Sequence, residues 1–186
     1  MPWIVMVLQF EFKADLNDYL SRLGPGAPVH SLADVIVFNE RNRERVMPYF
    51  GQEEMIASQA KGPLTGEAYL KARADCRRLA RDEGIDATLA KHHLDAIVAP
   101  SGGPAWLTDW VAGDHHSGGS STPAAVAGYP NITVPAGYIF GLPVGISLFA
   151  GAWEQPTLIR LAYAFEQATQ VRRPPQFLPH VDWGSA

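Results

Sequence analysis

The sequence is short of cysteine, of basic residues and of long apolar runs. Cys76 is the only cysteine, so no disulfide can close within the chain. That suits a reducing compartment, and a cytoplasmic location is the expectation. Cys76 falls within a helical pattern and reads as a buried, neutral thiol rather than a nucleophile. Lys and Arg number 15 against 19 Asp and Glu, for a net charge of −4. This excludes the electrostatic footprint of a nucleic-acid binder and any basic stripe for an anionic membrane. The basic pair Arg172-Arg173 reads as a solvated helix end. No apolar run approaches the roughly 18 residues that a membrane span needs. The apolar opening, residues 1–12, lacks a basic leader and a small-residue cleavage site, so it does not read as a signal peptide. No lysine follows Lys91, which matters for the chemistry below.

What is present is a substantial apolar fraction, 47% of 186 residues. That is enough for the core of one domain, or of a large piece of one. Residues 4–12 are short and rich in β-branched and aromatic side chains, which predicts a buried strand. A strand so near the first residue fits a chain that starts partway into a domain. Residues 15–23 put Leu16, Tyr19, Leu20 and Leu23 on one helical face, and Gly24-Pro25-Gly26 stops it. Ser31 and Asp34 fit the N-terminal cap of a helix running to about Arg45, with a polar, exposed end. Residues 52–61 suit a short helix. A longer one runs from Thr65 to about Arg81, with Tyr69, Ala72, Cys76, Leu79 and Ala80 as its buried stripe. Gly84 is expected to interrupt it before residues 86–93 resume. Residues 94–99 predict a strand ended by Pro100, and a Gly-, Ser- and His-rich loop follows to about Thr122. Residues 131–135 and 144–150 predict two more strands, divided by residues 137–143. Residues 156–170 predict a closing helix with Leu158, Leu161, Ala162 and Phe165 inward. The tail from Arg172 reads as extended and peripheral. The order implies an α/β fold, a mixed sheet of four or five strands flanked by helices, with no repeat and no linker.

From Asp95 onward three ordered blocks carry a resemblance. Asp95-Ala96-Ile97-Val98-Ala99-Pro100-Ser101 is similar to a D-x-h-h-x-P-[TS] element, where h is apolar. Gly128-Tyr129-Pro130-Asn131-Ile132-Thr133-Val134-Pro135-Ala136-Gly137 is similar to G-x-P-x-h-[ST]-h-P-x-G. Gly141-Leu142-Pro143-Val144-Gly145-Ile146 is similar to G-L-P-x-G-h. In this order and spacing the chain resembles the C-terminal portion of the amidase-signature family. Less sharply, residues 10–13, Leu20, residues 32–36, Phe38-Asn39 and residues 103–106 resemble its peptide-amidase-like members. The resemblance covers residues 1–178, leaving 179–186 as a tail, and spans about the last two-fifths of a typical member. It implies an αβα fold and hydrolysis of linear amides through an acyl-enzyme, with no metal and no organic cofactor. It implies a small amide or peptide-amide substrate in the complete enzyme. The family's catalytic Ser, cis-Ser and Lys lie upstream, so this chain is expected to hold none of them and to be inactive alone.

Ser117-Gly118-Gly119-Ser120-Ser121 looks like the family's catalytic Gly-Gly-Ser-Ser-Gly-Gly loop, but Thr122-Pro123-Ala124-Ala125 follows instead of a second glycine pair. A serine hydroxyl needs a positioned proton acceptor. Any lysine for the role would have to come from Lys13, Lys61, Lys71 or Lys91. Lys61 and Lys71 flank polar helical segments and read as solvated. The segment therefore reads first as a Gly-rich turn whose hydroxyls satisfy local backbone, then as a wall of a substrate pocket, and last as an independent nucleophile at Ser120 or Ser121. A Ser120, His116 and Asp109 or Asp114 triad can be written, but spacing does not favour it. His92-His93 and Asp114-His115-His116 lack metal-ligand spacing and read as loop histidines. Trp3, Trp153 and Trp183 read as packing residues. Trp106 and Trp110, in a loop after a strand end, are candidates for a pocket wall. The candidate substrate-binding set is Ser101, Gly103, Trp106, Trp110, Ser120 and Ser121. Two alternatives stand beside the amidase reading: a self-contained serine hydrolase and a non-catalytic, self-associating binding module. The partners expected are a missing N-terminal half or a second copy of the chain.

Overall fold

The computed structural model describes residues 2–177; the tail at 179–186 and Trp183 lie outside the described residues. The chain divides after Cys76 into two compact units. The boundary falls near the end of a helix, where no proline or glycine marks it.

The first unit is helical: α1 (Pro2–Ser21), α2 (Leu32–Arg41), α3 (Arg43–Val46), α4 (Glu53–Gln59) and α5 (Glu67–Arg77). The strand expected at residues 4–12 is instead the first half of α1. A short apolar run fits a buried strand or a buried helix equally well by composition. Burial separates the two. Val5, Leu8, Phe12 and Tyr19 are exposed while Phe10 and Leu20 are buried. These steps of three, four and seven follow the helical period. Tyr19 and Leu23, expected inward, point outward. Phe10 meets the Tyr69 ring with centroids 5.6 Å apart, and Tyr69 donates its hydroxyl to Glu11 Oε1 at 2.7 Å. That bond, then burial, raises the Tyr69 pKa. The predicted stripe of α5 is buried at Tyr69, Ala72 and Cys76. Burial, then the nearby Glu11 carboxylate, pushes the Cys76 thiol up, so it stays protonated at neutral pH.

The cap predicted for α2 forms. Ser31 Oγ accepts from Asp34 N–H at 3.1 Å, and Asp34 Oδ2 accepts from His30 N–H at 3.0 Å. The His30 bond, then Ser31, holds the Asp34 carboxyl below its usual value. Ser31→Ala is expected to lower stability by about 1 kcal/mol, read as a lower urea midpoint. A midpoint unchanged by the substitution would show the cap to be idle.

The second unit opens on a π-helical segment, Arg78–Ile85, continuous with α6 (Asp86–His92). Gly84 does not interrupt the helix. A Cβ at Gly84 would lie 2.5 Å from the Leu79 carbonyl oxygen, five residues back, so glycine is what admits the wide turn. Three strands follow, β1 (Ile97–Pro100), β2 (Asn131–Ile139) and β3 (Leu142–Phe149), with α7 (Ser121–Ala127) before β2 and α8 (Gln155–Thr169) after β3. The strand order is β1-β3-β2 and both pairings are antiparallel. Among the described residues the sheet therefore has three strands and no parallel pair, where a mixed sheet of four or five was expected. β2 and β3 also run longer than predicted. They join through a two-residue turn, Phe140-Gly141, with φ of 49° and 77°, the sign of a type I′ hairpin.

Alternation along β3 sorts the two faces. Ile146, Leu148 and Ala150 join Ile132 and Val134 against Leu158, Leu161, Ala162 and Phe165 of α8. Phe149, with Ile97 and Ala99, packs against Ala80 and Ile85 of the π segment and Ala124 and Ala127 of α7. Helices thus cover both faces of the sheet. Arg81 ties two of these elements together: its Nε donates to the Ala127 carbonyl at 2.5 Å, and its guanidinium lies 5.3 Å from the Tyr129 ring centroid. Trp153, read as a packing residue, is largely exposed.

Candidate functional site

The candidate site grows from the end of β1. Beyond Pro100 the ladder continues by one bond, Ser101 N–H to the Gly145 carbonyl at 2.9 Å. The long loop then returns onto its own stem. Ser120 N–H donates to the Ser101 carbonyl at 3.3 Å, and Gly102 pairs with Gly119 as an antiparallel bridge. This crossing explains the glycines of the Ser-Gly-Gly-Ser-Ser segment. A Cβ at Gly119 would lie 2.9 Å from the Ser101 carbonyl oxygen, and one at Gly103 would collide with Ser117 Oγ. Close backbone approach is what the glycines provide here.

The crossing bounds a cleft of about 270 Å³, lined by Ser101, Gly102, Gly103, Trp106, His116, Gly118, Gly119, Ser121 and Thr122. Four of the candidate residues, Ser101, Gly103, Trp106 and Ser121, lie in this wall. Ser120 stands behind it, just before α7, with its Oγ buried and without a hydrogen-bond partner. Trp110 is exposed further out on the loop and is not part of the lining. Trp106 is held by donation from Nε1 to Asp114 Oδ1, and its ring centroid is 5.8 Å from that of His116.

The hydroxyl of Ser101 belongs to a cluster that the sequence reading missed. Ser101 Oγ is 2.7 Å from Ser147 Oγ, Thr133 Oγ1 is 2.9 Å from Ser147 Oγ, and Ser101 and Thr133 are 3.5 Å apart. Ser147 is only 3% exposed. Its position follows from register, since Ser147 stands opposite both Ala99 of β1 and Thr133 of β2. Gly145 leaves the space: a Cβ there would lie 3.0 Å from Ser101 Oγ and 2.9 Å from Thr133 Cγ2. The available signal was a hydroxyl residue in the middle of each of two apolar strands.

The triad that can be written does not assemble. Ser120 Oγ has no partner, Asp114 is engaged by Trp106, and Asp109 accepts the N–H groups of Val111 and Ala112, each at 2.8 Å. Those bonds, the Ala112 one first, lower the Asp109 pKa. Three of the four lysines are engaged elsewhere. Lys13 Nζ donates to the carbonyls of Gln59 and Lys61 at 2.9 and 2.5 Å, Lys71 pairs with Asp75, and Lys91 is exposed at the end of α6. Lys61, expected to be solvated, is half-buried and sits 5.8 Å from the Phe10 ring centroid. Among the described residues, no group of three His, Cys, Asp or Glu side chains is placed to hold a metal ion. No described helix is long and apolar enough to cross a membrane.

Comparison with known proteins gives a consistent set of relatives. No protein-family model matches the chain. It is 39% identical over 176 residues to a protein of Arabidopsis thaliana named as an amidase, a match covering 93% of this chain and 30% of that protein. The native peptide amidase of Stenotrophomonas maltophilia superposes with a TM-score of 0.85 at 47% identity, covering 95% of this chain and 36% of that one. An amidase family protein of Bacillus anthracis superposes with a TM-score of 0.74 at 30% identity, covering 93% and 30%. The chain spans about a third of the length of the relatives it matches.

Proposed function

Because the chain belongs to the amidase-signature family and corresponds to part of its members' length, we propose that it is the C-terminal part of an amidase that hydrolyses linear amides, peptide amides among them. The observation that carries this reading is the match to a solved peptide amidase in complex with the competitive inhibitor chymostatin, at 48% identity and a TM-score of 0.88 over 95% of this chain. In this reading the nucleophilic Ser, cis-Ser and Lys belong to the upstream part of the fold. The chain contributes the three-stranded sheet and one wall of the pocket, at Ser101, Gly103, Trp106 and Ser121. The absence of any proton acceptor hydrogen-bonded to Ser120 supports assigning the nucleophile elsewhere, because an unactivated hydroxyl is a weak nucleophile.

The reading includes a partner. α1 exposes Val5, Leu8, Phe12 and Tyr19, an apolar face that the remaining part of the fold would bury in the complete enzyme. Pairing of two copies through the outer edges of β1 and β2 is the competing arrangement. A cytoplasmic location accords with the single free Cys76.

The test is ammonia release from a C-terminally amidated dipeptide. The chain alone is expected to be silent. Activity is expected once the upstream part of the same enzyme is added. Turnover by the chain alone that disappears in Ser120→Ala would transfer the nucleophile to this loop and overturn the assignment.

A further inference from the structure

We infer that Arg81 is a positioning residue: it anchors the C-terminal end of α7 and thereby holds the Ser121 and Thr122 wall of the cleft in place. Its effect on amide turnover rests on the amidase reading; its hold on the wall does not.

The wall is under tension at one end. Ser121 and Thr122 line the cleft and open the first turn of α7. Ser120, just before them, keeps its Oγ buried with no hydrogen-bond partner. An unsatisfied buried hydroxyl is costly and favours any movement that brings it a partner or water. The backbone bond at Ser120, to the Ser101 carbonyl, is long at 3.3 Å, hence weak. Further along α7, Ala124 and Ala127 pack against Ala80, Ile85 and Phe149. Apolar contacts are non-directional, so they resist separation more than sliding.

The directional hold is at the other end. The last carbonyls of a helix have no partner within it. Gly128 ends α7 with φ of 67°, and the N–H groups of Gly128 and Tyr129 turn back to the carbonyls of Ala125 and Ala124 at 3.2 and 3.0 Å. The Ala127 carbonyl accepts instead from Arg81 Nε at 2.5 Å. The guanidinium is fixed in turn. It lies 5.3 Å from the Tyr129 ring centroid, and the Tyr129 hydroxyl donates to Asp86 Oδ2 at 2.8 Å. A Cβ on Gly128 would come within 3.3 Å of Arg81 Nη2. Arg81 and Asp86 belong to the continuous run of the π segment and α6, so the anchor has two points on one element. α7 is about 10 Å long at 1.5 Å per residue, and a shift at Ala127 is carried to Ser121. A guanidinium supplies the Nε donor and a planar face together, whereas an ammonium supplies a point charge.

The experiment follows amide exchange along the chain by NMR. Arg81→Met keeps the apolar stem and removes the donor and the planar face. It is expected to speed exchange at Ser120 about tenfold, the worth of one hydrogen bond from a charged donor. The β2–β3 ladder is expected to stay within about twofold, because the opening is local. Arg81→Lys keeps the charge alone and is expected to behave like Arg81→Met. Should Arg81→Met not fold, Tyr129→Leu removes the surface beneath the guanidinium and carries the test, with a rise at Ser120 of about threefold. Unchanged exchange at Ser120, an equal rise throughout the ladder, or an Arg81→Lys protein that matches the unaltered chain would each overturn the inference. In the enzyme completed by the upstream part, Arg81→Met is expected to raise KM for the amidated dipeptide about tenfold and to leave kcat within about twofold. An unchanged KM in a variant whose Ser120 has loosened would overturn the wall's part in binding. If the unaltered chain gives no turnover with the upstream part, the amidase reading falls, and exchange at Ser120 still decides the role of Arg81.

Discussion

Phe149→Ala is expected to destabilise the sheet-containing unit by about 3–5 kcal/mol, the usual cost of removing a buried aromatic ring. Phe149 is 5% exposed and ends β3, the central strand. It stands opposite Ile97 on one side and Asn131 on the other. Its ring fills the space between the sheet, the π segment and α7. Truncation leaves a cavity bounded by three elements, which cannot all close in together. Urea denaturation of the two proteins measures the difference. A loss below about 1 kcal/mol would mean that the site collapses freely and that the face is loosely packed.

Leu32→Ala is expected to cost about 2–5 kcal/mol in the helical unit. Leu32 is fully buried and is the first residue of α2. Its backbone N–H is bonded to Asn17 Oδ1 of α1 at 2.8 Å, so truncating the side chain leaves that bond in place. The loss therefore reports packing alone, whereas Ser31→Ala one residue earlier reports capping alone. Amide exchange should rise in α1 and α2 of the Leu32→Ala protein. Unchanged exchange in α1 would show that Leu32 anchors only its own helix.

These sites illustrate how legibility varied along the chain. The cap of α2, the stripe of α5 and the inward face of α8 were readable because helix signals are local: a hydroxyl three residues before a bonded N–H, and apolar residues three or four apart. Residues 4–12 were misread because an apolar run carries little periodicity, and the choice between helix and strand then depends on neighbours. Gly84 was misread because glycine ends many helices but also admits a π turn, and only the path of the chain distinguishes them. The sheet was overestimated for a related reason. Apolar runs mark candidate strands, while pairing depends on residues far away in sequence.

The candidate site divides in the same way. Ser101, Gly103, Trp106 and Ser121 could be nominated because a strand end followed by a Gly-rich loop is a local pattern. Thr133 and Ser147 could not, because their relation to Ser101 is a matter of register across two ladders. The sequence by itself determined the family, through three ordered blocks whose turns and prolines are local features, and it put Thr122-Pro123 after the Gly-Ser segment in place of a second glycine pair. Only the tertiary structure decided that this segment crosses its own stem, that glycine is needed there for backbone approach, and that three hydroxyls from β2, β3 and the end of β1 converge. The physical reason is the same in each case. Hydrogen-bond capacity and side-chain volume are written residue by residue, but which groups share a space is set by strand register and loop closure, which depend on the whole fold.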